Sequence, residues 1–399
     1  MGSNLKRILV FTGWYPSVEN ATQYTFVRQQ VAMMNKYLPL TTNEKWKFVV
    51  WNKPAPTDIF NHLMRRPAKV SVWKDEEISI FTHQSVLLSH RLPMDQSFIH
   101  LRDMYTQFPS VLNELGGTPD LVWCVTLTSA SLWNRFMEKN KLNIPFILQE
   151  HSVPLTMHLR HRWNLNEARR MLKRNSGVVV VAERQFAEFS KLDKSIKPHL
   201  IWNAVTEEFL SGTSKNKNLS NTFVFLFVGR LSDQKGLWRL IDATQKLVGN
   251  KLNFVIKLIG AGPDELRLRN YIKKKGTSDY FEWLGPKPSE EISREMDKAH
   301  AFVLPSFYEN CPVALLEAQV MGLPCVCTIN GASEKVLLPG NGIAVQDEGN
   351  GIALGNALAK MIKGYSHYDR AAIRKRSIAE FSPDVFVKKM YGVFVDAMR

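Results

Sequence analysis

The sequence has no long hydrophobic run and few cysteines. No apolar stretch approaches the roughly 18 residues that a membrane-spanning helix needs, which excludes a transmembrane protein. The apolar run near the amino terminus is too short for a secretory signal, so a cytoplasmic location is expected. Of the four cysteines, Cys325 and Cys327 alternate within one apolar run. They are predicted to be buried thiols on one face of a strand, with a metal or redox pair as the alternative.

Negative charge is scarce as well. The chain carries 52 Lys and Arg against 37 Asp and Glu, a formal net charge of +15. The densest basic stretch is His158–Arg174. Three interpretations of this stretch stay open: a solvated helix face, a peripheral contact with an anionic membrane surface, and nucleic-acid binding. Aromatic residues are not interleaved with the basic ones as in single-strand binders, so a nucleic-acid partner is not expected.

Short apolar runs rich in β-branched residues alternate with amphipathic helical stretches. This alternation predicts parallel sheets covered by helices on both faces. The predicted strands form two series, so the fold class is α/β, with two doubly wound Rossmann-like domains facing a cleft. The first series is Arg7–Phe11, Lys47–Trp51, Ile78–His83, Asp120–Val125, Pro145–Gln149 and Gly177–Val181; the second is Phe223–Val228, Asn253–Ile259, Phe281–Leu284, Ala301–Leu304, Pro324–Thr328 and Gly342–Val345.

The domain boundaries follow from where this pattern lapses. Ser211–Thr222 is polar and has no hydrophobic periodicity, which is typical of a linker or surface loop. Residues 1–205 are therefore assigned to the first domain, 206–222 to a linker and 223–381 to the second domain. Residues 382–399 have apolar side chains at helical spacing, which predicts a terminal helix with a face suited to packing back on the first domain.

The stretch Leu304–Val326 (LPSFYENCPVALLEAQVMGLPCV) is the most informative part of the sequence. An apolar strand ends at Leu304, a helix opens near Pro312, and Gly322 ends it. A helix that starts after a parallel strand lies at the carboxyl edge of the sheet, where its free N–H groups suit a diphosphate. Glu309 precedes this helix, and Glu317 lies within it among apolar residues, where a carboxylate indicates a function.

A second element, VGRLSDQKG, follows the strand that ends at Val228. Gly229 and Arg230 come directly after the strand, and Lys235 stands just before the next helix. Two cations in one strand-to-helix loop are able to neutralise a diphosphate. Loose basic loops are common, so this motif gains weight only together with the two glutamates.

Together these stretches resemble the E-x7-E and GRL…KG motifs of retaining nucleotide-sugar glycosyltransferases of family 4, which have the GT-B fold. The resemblance implies that Glu309 contacts the donor sugar and that Glu317 binds the ribose hydroxyls. It also implies that Arg230 and Lys235 bind the pyrophosphate and stabilise the leaving group. Many relatives carry a glycine-rich stretch where this chain has Asn310–Cys311–Pro312.

The same resemblance extends to further donor-side positions. The residues expected around the donor are Gly229, Gly260, Lys287, Asn310, Cys311 and Val313. Gly260 lies in IGAGP, where Glu265 replaces the third glycine of a dinucleotide fingerprint, so a Rossmann cofactor site is disfavoured. Lys287 ends LGPK, which resembles the segment that faces the nucleobase.

On the acceptor side, the segment after the first strand resembles first-domain loops of the family. Its expected cleft residues are Gly13, Trp14, Tyr15 and Arg28. An ordinary loop followed by an amphipathic helix is the alternative. His151 ends another strand, and in relatives a histidine here reaches the donor sugar. A histidine with a merely local hydrogen bond is the alternative there.

The resemblance implies retaining transfer from a UDP- or GDP-linked sugar to a glycan or lipid-linked acceptor, in cell-surface polysaccharide or glycoconjugate synthesis. No D-x-D carboxylate motif occurs, so no metal and no cofactor besides the donor substrate are expected. A nucleotide-sugar epimerase or phosphorylase on the same fold is the first alternative. A non-catalytic binder of sugar nucleotides or nucleic acid is the second.

Overall fold

The computed structural model describes residues 5–13, 15–16, 25–52, 56–57, 70–75, 77–83, 85–86, 93–151, 162–211 and 222–399. The chain divides into two compact units. Unit 1 comprises the residues up to Trp202 together with Phe386–Arg399, and unit 2 comprises Asn203–Val385. Each unit is built around its own mainly parallel sheet, which confirms the predicted class of two doubly wound α/β domains.

Unit 1 contains an eight-stranded sheet in the order β10-β9-β8-β7-β1-β2-β5-β4. The strands are β1 Leu5–Thr12, β2 Lys45–Asn52, β4 Val70–Asp75, β5 Ile78–His83, β7 Leu121–Val125, β8 Phe146–Glu150, β9 Gly177–Val180 and β10 His199–Leu200, and a separate short pair is formed by β3 Pro56–Thr57 and β6 Ser85–Val86. All the strands predicted in this half are present; the two-residue strands β3, β6 and β10 were not predicted, and neither was β4. It pairs antiparallel with β5 at the sheet edge, so the sheet is mixed rather than fully parallel.

The central strands of this sheet are buried because helices cover it. All five residues of β7 and of β8 are buried, as expected of central parallel strands. The helices are α1 Thr25–Thr42, α2 Pro93–Leu115, α3 Leu127–Asn140, α4 Arg162–Leu172 and α5 Arg184–Leu192. The core contains a cluster of aromatic side chains. In this cluster, the rings of Trp51 and Phe11 meet edge to face, with 5.5 Å between their centroids. Such pairs stabilise beyond their buried area.

Unit 2 contains a six-stranded, fully parallel sheet in the order β13-β12-β11-β14-β15-β16. Its strands are β11 Phe223–Val228, β12 Phe254–Ile259, β13 Phe281–Gly285, β14 Ala301–Leu304, β15 Cys325–Thr328 and β16 Gly342–Val345. The chain runs outward from β11 to β13 and then returns to place β14 on the other side of β11. The strand order therefore reverses between β11 and β14, and in open α/β sheets ligands bind outside the carboxyl ends at such a point.

The helices of unit 2 pack on both faces of this sheet. They are α6 Glu207–Leu210, α7 Leu237–Gly249, α8 Glu265–Lys274, α9 Ser289–Lys298, α10 Val313–Val320, α11 Ser333–Val336, α12 Ile352–Gly364 and α13 Arg370–Phe381. Helix α6 occupies the beginning of the segment assigned to a linker. Its Phe209 is fully buried, and Arg374 donates hydrogen bonds to the carbonyls of Phe209 and Leu210. This part of the segment is therefore ordered structure of unit 2, and residues 212–221 lie outside the described residues.

The last helix, α14 Pro383–Met398, continues from unit 2 into unit 1. Its residues from Phe386 onward pack against the unit 1 sheet. Phe394 is fully buried, and its ring lies 5.7 Å from that of Trp123 in β7. Tyr391 meets Trp46 edge to face at 6.0 Å. The helical spacing of apolar residues in the sequence thus corresponds to a packed helix face.

All four cysteines are free and buried, as predicted for the thiols of Cys325 and Cys327. Burial raises the pKa of both thiols above the ordinary value. They lie in β15, whose four residues are all buried. Because strand side chains alternate, the two thiols share one face of the sheet.

Candidate functional site

The loop after β11 touches the loop after β14. A single 3-10 turn, Asp233–Lys235, ends at Gly236, which adopts a left-handed conformation with φ 65°. A Cβ atom at Gly236 would lie 1.9 Å from the carbonyl oxygen of Pro305. Only glycine allows both this backbone conformation and this approach. The sequence KG before α7 therefore brings Lys235 against the segment that carries Glu309.

Lys235 and Glu309 form an ion pair at the carboxyl edge of the sheet. Nζ of Lys235 lies 2.6 Å from Oε1 of Glu309, and the two side chains are 20% and 8% exposed. The hydroxyl of the buried Ser306 donates a second hydrogen bond to the same Oε1 at 2.7 Å. The structure thus joins two of the residues predicted from separate motifs.

Arg230, the other predicted cation of this loop, is exposed. Its guanidinium has no hydrogen-bond or ion-pair partner among the described residues, although its backbone carbonyl accepts a hydrogen bond from the N–H of Ser232 at 3.0 Å. Its neighbour Gly229 is anchored to β12 through its N–H, which donates to the carbonyl of Ile259 at 3.0 Å. The loop therefore presents one paired cation and one guanidinium that is available to a ligand.

Helix α10 begins at Val313, with Pro312 as its N-cap residue in an extended conformation. It ends before Gly322, which has φ 77°, and a Cβ atom there would lie 2.6 Å from the carbonyl of Arg370. The predicted start and end are therefore correct to within one residue. Asn310 and Cys311 lie in the loop just before this helix, so its first N–H groups open beside Glu309.

Glu317 lies in the middle of α10 and is buried. Its carboxylate has no hydrogen-bond partner among the described residues. Burial raises the pKa of Glu317 to about 8, and the negative charge of Glu208 adds to this rise. A buried acid without an internal partner is costly, which makes this carboxylate suited to hydroxyl donors from a ligand.

Glu208 was not predicted as a site residue because it lies in the segment read as a linker. It belongs to α6, and its Oε2 is buried without a hydrogen-bond partner among the described residues. The only sequence signal was an acidic pair, Glu207 and Glu208, directly before an apolar Phe209. Its proximity to Glu317 is a property of tertiary packing.

Two glycines in IGAGP let the loop after β12 meet the loop after β11. Gly260 has φ 136°, and a Cβ atom there would lie 2.0 Å from the carbonyl oxygen of Gly229. A Cβ atom at Gly262 would lie 2.2 Å from the carbonyl of Leu231. These contacts fix the two loops against each other at one edge of the sheet, and Gly260 lies beside Gly229 as part of that surface.

Cys311 stands where a glycine-rich stretch was expected from the resemblance. Its thiol is buried, and burial raises its pKa to about 12; the N–H of Asn203 acts against this rise and the charge of Glu309 adds to it. The thiol therefore stays protonated at neutral pH. It occupies space next to Glu309 without adding charge.

Lys287 is not joined to the pair formed by Lys235 and Glu309. Its Nζ lies 2.6 Å from Oε2 of Glu291, four residues further on in α9, and this hydrogen bond raises the pKa of Lys287. The residue follows β13 at the same sheet edge. Its charge is engaged in a local surface pair, so a direct role with the donor requires that pair to open.

In unit 1, His151 follows β8 and Gly13 follows β1, so both lie at the carboxyl edge of that sheet. His151 is buried, and burial lowers its pKa to about 3. Its ring lies 4.6 Å from that of Phe26 in α1. The imidazole is therefore neutral at physiological pH and suited to hydrogen bonding rather than to charge stabilisation.

Arg28 and Tyr15 converge on an acid that the sequence did not reveal. The Arg28 guanidinium binds both carboxylate oxygens of Asp75 at 2.6 and 2.7 Å, and the Tyr15 hydroxyl donates to Oδ2 at 2.8 Å. Asp75 ends β4, the edge strand that was not predicted. This bidentate pair connects α1 to β4, so the charge of Arg28 is neutralised by Asp75 within unit 1. Trp14 lies outside the described residues.

Among the described residues, no group of three or more His, Cys, Asp or Glu side chains is arranged to hold a metal ion. None of the described helices is long and apolar enough to cross a bilayer. In α4, which belongs to the basic stretch, Arg170 lies 3.4 Å from Glu167 and 3.7 Å from Glu138, so part of its charge is balanced within unit 1.

Residues 212–378, which contain both predicted donor motifs, match the family model described as glycosyl transferases group 1. The chain is 34% identical over 139 residues to the putative colanic acid biosynthesis glycosyltransferase WcaL of Salmonella typhimurium, covering 33% of this chain and 34% of that protein. It is 25% identical over 284 residues to the lipopolysaccharide 1,6-galactosyltransferase of Escherichia coli, covering 70% and 76%. The match thus spans about a third of the first relative's length.

Solved structures of glycosyltransferases with the GT-B fold share the architecture of this chain. HepE of Anabaena in complex with UDP superposes with a TM-score of 0.69 at 16% sequence identity, over 98% of this chain and 99% of that one. At this identity the likeness shows the fold. In this fold, ligands bind outside the carboxyl ends of the strands.

Proposed function

We propose that the protein is a retaining glycosyltransferase of family 4 that transfers a sugar from a UDP- or GDP-linked donor to a glycan or lipid-linked acceptor in cell-surface polysaccharide synthesis. The observation that carries this proposal is the pair of Lys235 and Glu309 beside the start of α10, inside the matched segment. The relatives described above are named for colanic acid biosynthesis and for galactose transfer to lipopolysaccharide, and the superposed structure of HepE holds UDP.

Charge stabilisation is the chemistry that this edge supports best. Departure of a nucleoside diphosphate leaves negative charge on the leaving group, and fixed cations and N–H groups lower the energy of that state. Arg230, Lys235 and the first N–H groups of α10 would serve this purpose in unit 2. Because the sequence has no D-x-D motif, we propose that these groups act without a divalent cation.

The two glutamates would divide the recognition of the donor. The ionised Glu317 would accept hydrogen bonds from the two ribose hydroxyls, which would lower its pKa from about 8. Glu309 would orient the sugar through its hydroxyls while Lys235 turns toward the diphosphate. Unit 1 would bind the acceptor, with His151 as a neutral hydrogen-bonding group.

A thermal-shift panel of UDP, GDP, ADP and their sugar derivatives tests the donor site. A ligand present at about 100 times its dissociation constant adds roughly 2.7 kcal/mol to the free energy of unfolding. We expect one base to shift the wild type strongly and the Glu317→Gln variant less at equal concentration. No shift with any member of the panel would contradict the proposal.

Product analysis then separates transfer from the alternatives. Nuclear magnetic resonance should show a new glycosidic bond with the donor's anomeric configuration, formed in the presence of a chelator. Interconversion of the sugar nucleotide without an acceptor would indicate an epimerase, and phosphate-dependent cleavage of a glycan would indicate a phosphorylase. RNA binding with a steep salt dependence would instead indicate a nucleic-acid binder.

We propose in addition that the basic face of unit 1 contacts anionic membrane surfaces from the cytoplasmic side. The net charge of +15 and the exposed Arg169 and Arg170 of α4 support this, since basic residues near anionic lipid contribute about 1 kcal/mol each. Sedimentation with vesicles should show binding to phosphatidylglycerol that salt weakens. Equal binding to neutral phosphatidylcholine vesicles would contradict it.

A further inference from the structure

The segment between β14 and Glu309 is held by residues at the carboxyl ends of both neighbouring strands. In the sheet, β14 lies between β11 and β15. From the β11 side, the Gln234 side chain donates to the carbonyl of Tyr308 at 2.9 Å, and its backbone carbonyl accepts from Phe307 at 2.9 Å. From the β15 side, the hydroxyl of Thr328 donates to the carbonyl of Ser306 at 2.6 Å.

Asn330, two residues after β15, makes a second contact with Ser306. Its Nδ2 lies 3.3 Å from the Ser306 carbonyl oxygen and 2.9 Å from the Ser333 hydroxyl. Its Oδ1 accepts from the N–H groups of Ala332 and Ser333 at 3.2 and 3.0 Å. The amide is thus fixed by its own turn, and it holds the Ser306 carbonyl from a rigid support.

Ser306 connects these contacts to Glu309. The serine is completely buried, its carbonyl is held from the β15 side, and its hydroxyl donates to Oε1 of Glu309 at 2.7 Å. Lys235 binds the same oxygen atom. Because a hydroxyl is neutral, it orients the carboxylate without cancelling its charge.

We infer that Ser306, Thr328 and Asn330 are positioning residues that fix the Glu309 carboxylate for the donor sugar. The inference rests on the proposed function, in which Glu309 contacts that sugar. Thr328 and Asn330, at the end of β15, then determine how much affinity the sugar adds to that of the nucleotide. Glu317, Arg230 and Lys235 determine the affinity for the nucleotide itself. Small displacements of such a group reduce turnover strongly.

The test compares Thr328→Val with Thr244→Val. Valine keeps the size of threonine and removes the hydroxyl. Thr244 is a matched control, since it is also completely buried and its hydroxyl donates to a backbone carbonyl, that of Ile241, at 2.6 Å. A second pair compares Ser306→Ala with Ser377→Ala, a buried serine that donates to the carbonyl of Ile373 at 2.7 Å.

Three quantities are measured for each variant: the melting temperature, kcat, and the ratio of the dissociation constant of the free nucleoside diphosphate to that of the nucleotide sugar. We expect Thr328→Val and Ser306→Ala to lower that ratio and kcat by about tenfold while binding of the free diphosphate is unchanged. The control variants should lower the melting temperature by a similar amount and leave the ratio and kcat unchanged. Thr328→Ser, which restores the hydroxyl, should restore both.

The inference is overturned if Thr328→Val and Ser306→Ala keep the wild-type ratio and kcat, or if the controls lose them equally. A wild type that transfers sugar while these variants behave like their controls leaves the proposed function intact and removes only the positioning role. A wild type that binds no nucleoside diphosphate overturns the proposed function and, with it, this inference.

Discussion

The carboxyl edges of the two sheets differ in how they use charge. In unit 2, Lys235 and Glu309 share one ion pair, and the guanidinium of Arg230 has no partner among the described residues. Binding a ligand there therefore requires only local exchange of contacts. In unit 1, Arg28 is bound by both oxygens of Asp75, and His151 is kept neutral by burial.

Under the proposed function, this difference suits the two units to unlike tasks. A diphosphate is recognised by fixed cations at little reorganisation cost, and unit 2 offers them. Unit 1 offers neutral hydrogen-bonding groups and an aromatic ring, Phe26, beside His151. Such an edge suits a sugar or another uncharged acceptor group. The comparison predicts that charge removal affects catalysis in unit 2 far more than in unit 1.

The largest effect is expected for Lys235→Met. Turnover should fall by about 100- to 1,000-fold, because the leaving diphosphate loses a fixed cation. Steady-state kinetics with saturating donor measures this. The matched control is Lys257→Met, in β12, whose side chain is also 20% exposed and lies 3.4 Å from Glu295. The control should keep its turnover.

Arg230 sharpens the same test, since its exposed side chain contributes little to the fold. Arg230→Ala should reduce turnover without changing the urea midpoint of unfolding. Near wild-type turnover in the double variant Arg230→Ala/Lys235→Ala would show that this edge does not stabilise the leaving group. The contrast between the two units would then have no catalytic meaning.

An intermediate effect is expected for Glu317→Gln. The variant should bind the nucleoside diphosphate about 10- to 100-fold more weakly, as measured by calorimetry, because it loses hydrogen bonds to a charged group. It should also be more stable. The pKa of Glu317 is raised from 4.5 to about 8, so its stability contribution is complete below pH 4.5 and is lost as the pH rises to 8.

The gain of Glu317→Gln should reach roughly 3 kcal/mol at pH 7 and vanish near pH 4. Urea unfolding at both pH values measures it. Glutamine keeps the shape of the side chain and cannot ionise, so a gain that is equal at both pH values would contradict the assigned cause. Such a trade of stability for binding is typical of functional residues.

The smallest effect, in the opposite pH direction, is expected for His151→Gln. Burial lowers the pKa of His151 from 6.5 to about 3, so its stability contribution is complete above pH 6.5 and is lost as the pH falls toward 3. At pH 5 the wild type should have lost about 2 kcal/mol through this group, and the variant should not. Identical slopes of stability against pH between 7 and 5 would refute this.

The fold was predictable because its strands are nearly continuous apolar runs. Each predicted strand is present, since central parallel strands are buried on both faces and leave this local signature. β4 was not predicted because it forms an edge strand through its pairing with β5, and its own sequence has no continuous apolar run. Helix α6, inside the segment assigned to a linker, was missed for a similar reason: it is a single turn in which only Phe209 is buried.

The residues of the candidate site that belong to a sequence motif could be predicted. The residues that reach it only because two strands are neighbours in the sheet could not. Lys235 and Glu309 were identified from separate motifs, and the close approach of Gly236 to the Pro305 carbonyl explains why they meet. Thr328 and Asn330 contact Ser306 only because β15 lies next to β14. Asp75 similarly meets Arg28 across 47 positions of sequence. Strand order is not readable from local periodicity, so these partners could not be found.

The course of α14 has a consequence for how the chain folds during synthesis. Unit 1 contains the residues up to Trp202 and also Phe386–Arg399, and Phe394 is fully buried in it. Domains generally fold as they leave the ribosome, the amino-terminal one first. Here unit 2 has its whole sequence available before unit 1 does, so the second unit should complete its core earlier. Loss of Phe386–Arg399 would therefore remove part of the core of unit 1, although the rest of that unit ends at Trp202 in the sequence.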